Sequence, residues 1–125
     1  MSDSLADAAR IDVRRGVTFA APDGSPLHLD LYRPATAGVG TADAARRAAV
    51  VLVPGSRGRA PDSGELARYA LDLAERGYVC VVPAYRGSDV ASFPAQIRDL
   101  KAAIRWLRAA ADDVGVDPDR LGAFG

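Results

Sequence analysis

Cysteine is all but absent from this 125-residue chain. Cys80 stands alone and His28 is the only histidine, so no internal disulfide can form, and one Cys with one His cannot build a structural zinc site. Lysine is equally scarce. Of the sixteen cationic side chains only Lys101 is a lysine, and the formal net charge is zero. With its arginines scattered and no basic excess, the chain lacks the electrostatic footprint of a nucleic-acid or membrane-surface binder. No apolar run is long enough to span a bilayer. The opening residues mix Asp3, Asp7, Arg10, Asp12, Arg14 and Arg15 without the apolar core of a secretory signal. These absences lead to the expectation of a cytoplasmic protein with no cofactor, no metal, no nucleic acid and no membrane partner.

What is present reads as one small α/β domain. An apolar fraction of 49% and a charged fraction of 26% suffice for a core at this length, with residues 1–12 read as a tail and 13–125 as the domain. Two strand candidates, Val13 to Phe19 and Leu27 to Tyr32, flank the turn-forming run Ala21-Pro22-Asp23-Gly24-Ser25-Pro26 and predict an antiparallel hairpin. In the second strand, alternation sets Leu27, Leu29 and Leu31 on a buried face and His28 and Asp30 on a wet one. Residues 35–47 lack periodicity and read as a surface loop. Ala48 to Val53 and Tyr78 to Val82 are continuously apolar, the pattern of strands covered on both faces of a parallel sheet. Cys80, inside the second run, reads as a small buried hydrophobe.

Helices fill the gaps between these runs. Ser63 is the expected N-cap of a helix carrying Leu66, Tyr69, Ala70 and Leu73 at helical spacing, and Gly77 is its stop. A second helix starts near Pro94. Its expected core stripe is Ile97, Leu100, Ile104, Leu107 and Ala111, with Arg98, Asp99, Lys101, Arg105 and Arg108 pointing mainly elsewhere. Asp117-Pro118-Asp119-Arg120 predicts a capped turn, with Asp117 accepting an amide hydrogen bond and Pro118 at a first helical position. A last strand then begins at Arg120 or Leu121. Strands alternating with helices imply right-handed crossovers and an α/β sheet.

In such sheets chemistry gathers beyond the carboxyl ends of the strands, here the loops after Val53, Val82 and Gly125. Those loops are expected to share one edge. The first, Pro54-Gly55-Ser56-Arg57-Gly58-Arg59, has glycines that allow amides to be aimed at an anionic oxygen, but lacks the patterns of a P-loop or a dinucleotide site. In the second, Ala84-Tyr85-Arg86-Gly87-Ser88-Asp89, Arg86 reads as a structural residue that orients an acidic group or the neighbouring loop. The chain closes on Leu121-Gly122-Ala123-Phe124-Gly125, the opening of a G-x-S-x-G nucleophile elbow whose serine falls at position 127.

Taken in order, Leu27 to Pro34, Val53-Pro54-Gly55, Gly77-Tyr78-Val79, Tyr85-Arg86-Gly87-Ser88 and Asp117 to Gly122 resemble the α/β-hydrolase superfamily, most closely its esterase/lipase (feruloyl-esterase-like) group. Prolyl-oligopeptidase-type peptidases and dienelactone hydrolases stand close behind. The resemblance implies the N-terminal half of that fold, an antiparallel hairpin leading into a parallel sheet with crossover helices and truncated at the nucleophile elbow. It also implies a serine carboxylic-ester hydrolase that acts on a small-molecule ester through an acyl-enzyme. Nucleophile, acid and histidine would follow Gly125, which leaves no catalytic residue in this chain and makes it inactive by itself; His28 reads as structural. Gly55, Ser56 and Arg57 match the positions of the relatives' His-Gly-Gly-Gly oxyanion hole, where each donor is worth about 3–4 kcal/mol, whereas Pro54 has no amide to give. An alternative is a non-catalytic module binding a small anion or carboxylate through the Gly55–Arg59 loop and Arg86. The apolar strand from Leu121 is expected to expose an edge open to self-association.

Overall fold

The computed structural model describes residues 10–35, 46–55 and 63–125, without the side chain of Ser63. Strands β1 (Ile11–Ala20) and β2 (Leu27–Pro34) form the expected hairpin, and β3 (Arg47–Leu52) follows. A 3₁₀ turn over Ser63–Leu66 leads into α1 (Ala67–Glu75), and then come β4 (Val79–Pro83), α2 (Ala95–Ala109), the single turn α3 (Ala111–Val114) and β5 (Val116–Phe124). The five strands lie in the order β1-β2-β4-β3-β5. β2 runs antiparallel to β1 and β4, while β3 runs parallel to β4 on one side and to β5 on the other.

The continuous apolar runs are explained by a core on each face of this sheet. Leu29, Leu31, Ala49, Val51, Val79 and Val81 pack with Leu107, Ala111, Val114 and Val116 on one side. Tyr32, Leu52, Cys80 and Val82 pack with Ala70 and Ala74 of α1 on the other. Alternate residues of β4 therefore serve opposite cores, as pleating requires. The same covering corrects the expectation that β2 has a wet face. Asp30 is only 7% exposed and Tyr32 1%, because α1 lies over that side. Asp30 is accommodated by a bulge in β1, where Gly16 adopts a positive φ and its amide donates to Asp30 Oδ1 at 3.0 Å. His28, at the strand's start, remains exposed.

Helix α1 stops as anticipated at Gly77. With φ at +100°, Gly77 donates its amide to Ala74 while Tyr78 donates to Leu73, the paired bonds of a Schellman end. Of the expected stripe Ala70 is buried with Leu66 and Leu73 packed beside it, and Ala74 adds to the contact, whereas Tyr69 is 56% exposed. In helix α2 the expected Leu107 is buried and Ile104 packs beside it, as Ala111 does just beyond, but the other buried positions are Ala95, Asp99 and Ala103, and Ile97 is 44% exposed. Alanines let the helix approach closely, and Asp99 is admitted because a cation awaits it. At the other end of this layer, Arg33 Nη1 donates to the carbonyls of Asp113 and Val114, satisfying acceptors that α3 leaves open, while its Nε reaches Asp12.

The Asp117-Pro118-Asp119-Arg120 segment starts no helix. It arches out of β5, whose pairing with β3 passes from Arg47–Val116 directly to Ala49–Leu121. The expected amide bond is made, from Asp119 N to Asp117 Oδ1 at 3.0 Å, and Arg120 closes the turn from its other side. These contacts, the Asp119 amide foremost, hold the Asp117 carboxyl below its ordinary pKa. Among the described residues no helix is long and apolar enough to cross a membrane.

Burial pushes the Cys80 thiol from its ordinary 9.0 up to about 12. The unfolded thiol therefore ionises first, and stability should fall as pH rises between those two values by about 1.4 kcal/mol per pH unit at most. Denaturant melts at stepped pH should show this slope, and Cys80→Ala should remove it, leaving only the smaller contribution of Tyr32, whose pKa is also raised by burial.

Candidate active site

Because β3, β4 and β5 are parallel, the chain leaves all of them at one edge of the sheet, through Val53, Ala84 and Gly125. The ladder runs one step past the strand ends, with the Val53 amide donating to the Phe124 carbonyl at 2.8 Å. Gly125 comes closer still. A Cβ at this position would sit 2.8 Å from Val53 Cβ and 3.0 Å from the Val53 carbonyl oxygen, so contact with the neighbouring strand enforces glycine there. Pro54 follows, buried, and then Gly55, exposed and with open space around its α-carbon. Ser56 and Arg57, the other candidate oxyanion donors, lie outside the described residues, as do Gly58 and Arg59.

The loop after β4 is fastened at several points. Tyr85 donates its hydroxyl to the Pro54 carbonyl, joining this loop to the first. Arg86 grips Asp99 through its backbone amide and Nε to Oδ2, at 2.9 and 3.0 Å, and through Nη2 to Oδ1 at 2.9 Å. Its Nη1 reaches Asp23 in the hairpin turn at 2.7 Å. The hydrogen bonds to Asp99 and then Asp23 raise the guanidinium's pKa further. Gln96 completes the clamp by donating to the carbonyls of Arg86 and Ala91. Arg86 thus orients an acidic group, as its sequence context suggests. With its donors directed at two carboxylates, it is not presented to a ligand. His28 is on β2, whose strand start lies beside the same edge, where its carbonyl accepts the Ala84 amide. Among the described residues no group of three or more His, Cys, Asp or Glu is arranged to hold a metal ion.

A sequence model of the BD-FAE family matches residues 29–125. The chain belongs to the BD-FAE family. It is 35% identical over 103 residues to Esterase LipQ of Mycobacterium tuberculosis (strain ATCC 25618 / H37Rv), a match covering 78% of this chain and 23% of LipQ. Among solved structures, a thermophilic esterase of the Planctomycetes species Thermogutta terrifontis, Est2, superposes with a TM-score of 0.71 at 28% identity over 90% of this chain and 38% of its own. The same esterase 2 has been solved phosphonylated by cyclosarin. MGS-M1, an α/β hydrolase from a Medee basin deep-sea metagenome library, gives a TM-score of 0.75 at 22% identity over 92% of this chain and 46% of its own, a likeness of fold alone. This BD-FAE chain therefore spans about a quarter of LipQ and less than half of either solved enzyme. Its sheet is the N-terminal half of an α/β-hydrolase fold, and the esterase/lipase resemblance of its motifs holds.

Sequence reasoning placed the loops on one edge but missed Asp99, Tyr85, Gln96 and Asp23 as the residues that fix them. A signal for Asp99 existed. Ala95, Asp99, Ala103 and Leu107 recur at strict i+4 spacing, a stripe that outranks the larger apolar residues once a buried carboxylate has a partner. Asp99→Ala should therefore lower the thermal midpoint several times more than Asp72→Ala, whose exposed pair with Arg76 is worth no more than about 0.5 kcal/mol. Asp99→Asn should fall between them by the same calorimetric measurement.

Proposed function

We propose that this chain is the scaffold and oxyanion-binding part of a serine carboxylic-ester hydrolase. The observation that carries the reading is the packing of Gly125 against Val53, which brings the end of β5 beside the Pro54-Gly55 loop with room for no side chain. A serine at position 127 would then rise on a sharp turn over this edge. Its oxygen would attack the ester carbonyl as a histidine accepts its proton. The carbonyl oxygen, now negative, would be met by the Gly55 amide and by donors from Ser56 or Arg57. Return of the proton to the departing alcohol would leave an acyl-enzyme, and water would release the acid and restore the serine. The esterase names of LipQ and Est2 and the phosphonylated form of the latter support this reading. An anion-binding module is disfavoured by the engagement of Arg86 with Asp99 and Asp23.

The cytoplasm and a small-molecule ester substrate complete the proposal. Residues 1–125 alone should neither turn over p-nitrophenyl acetate above the blank nor take up a fluorophosphonate probe by mass spectrometry, whereas a protein extended through X-Ser-X-Gly and the later acid and histidine should do both. Saturable turnover by the short chain, or any other continuation of its coding sequence, would overturn the reading.

We further propose that the chain by itself self-associates. Among the described residues β5 is an edge strand, beside an apolar groove of about 430 Å³ lined by residues including Val50, Leu52, Tyr69, Tyr78 and Phe124. Phe124 is 66% exposed, and unpaired strand edges with apolar flanks recruit other chains. Light scattering over a hundredfold dilution should show mass falling with concentration; a constant monomer mass would refute it.

A further inference from the structure

We infer that Tyr85 is a positioning residue for the oxyanion donor of Gly55, an inference that rests on the esterase reading above. The Pro54 carbonyl and the Gly55 amide belong to one peptide unit. That peptide is not among the cis bonds, so its C=O and N–H point in opposite directions. By drawing the Pro54 carbonyl toward itself, the Tyr85 hydroxyl turns the Gly55 N–H the other way. Tyr85 follows β4, and β4 and β5 flank β3 on opposite sides. The amide therefore faces away from the β4 loop, and β5, with Gly125 at its end, is the strand on β3's other flank.

Several observations make this more than a loop contact. Gly55 has no side chain to brace its peptide, and among the described residues nothing lies within 4 Å of where its Cβ would stand. Among the described residues no acceptor takes the Gly55 amide, which leaves it available to a ligand oxygen. Pro54 is buried and its ring restricts φ, so the free variable is the rotation of the following peptide plane. Tyr85 acts on that variable. The next residue helps to set its place, since the Arg86 amide is anchored on the nearly inaccessible Asp99 carboxylate of α2. The helix thus orients the amide through a relay of Asp99, the Arg86 main chain, the Tyr85 hydroxyl and the Pro54 carbonyl.

The test needs no catalysis, so its outcome is separable from that of the esterase reading. In the isotopically labelled 125-residue chain, Tyr85→Phe removes only the hydroxyl. It should move the Pro54 carbonyl carbon resonance and lower the Gly55 amide order parameter from about 0.85 to below about 0.6, with amides of β3 and β4 unchanged. Incorporating 3-fluorotyrosine at position 85, which keeps the ring and makes the hydroxyl a stronger donor, should shift the Pro54 carbonyl resonance in the opposite direction, and covers the case in which Phe disturbs folding. An unmoved Pro54 resonance in both variants would show that the bond is not made. A moved resonance with an unchanged Gly55 order parameter would show that the bond positions nothing. Either result overturns the inference.

Discussion

A carboxylate placed almost out of reach of water organises the edge of this protein at which its parallel strands end. Asp99 is 2% exposed, and burying an ionised group at that depth is tolerable only if its oxygens are filled with donors. Arg86 fills them. Because the guanidinium also reaches Asp23, a single side chain ties α2, the loop after β4 and the turn of the N-terminal hairpin into one body. The catalytic edge of a hydrolase needs such fixity, since donors act on a developing oxyanion only when they are aimed before the charge appears.

The order of elements was legible because it rests on periodicity. Apolar runs at 48–53 and 78–82 could only be strands with two covered faces, and the hairpin was marked by turn residues at 21–26. Faces were less legible. Asp30 looked solvated by alternation, and what reversed it was a glycine bulge in the partner strand and a helix packed overhead, both products of tertiary structure. Ile97 and Tyr69 looked like core residues, but the helix faces turned to the sheet are lined mainly by alanines, which let α1 and α2 lie closer to it. At Asp117 local chemistry was read correctly, while its setting, an arch within β5 rather than a helix start, depended on pairing with β3.

The site was legible to the same extent. Parallel strands guaranteed that the loops would meet at one edge, and the glycines marked which loop could present amides. The cross-links between loops were not readable, because Tyr85, Arg86 and Asp99 are ordinary residues whose partners are remote in sequence or on another element. Membership of the BD-FAE family agrees with this arrangement, since the matched residues 29–125 include the ends of β3, β4 and β5.

The approach of Gly125 to Val53 has a consequence for how these positions can change. The obstruction comes from a side-chain carbon and also from a main-chain oxygen at 3.0 Å. Trimming residue 53 would clear the first but not the second, since every amino acid carries the same carbonyl. An exchange at 53 alone therefore leaves a larger residue at 125 against a tight main-chain contact, which the backbone at Val53 must shift by a few tenths of an ångström to relieve. Part of the constraint opposite Val53 thus belongs to the polypeptide backbone, beyond the reach of side-chain changes in either strand.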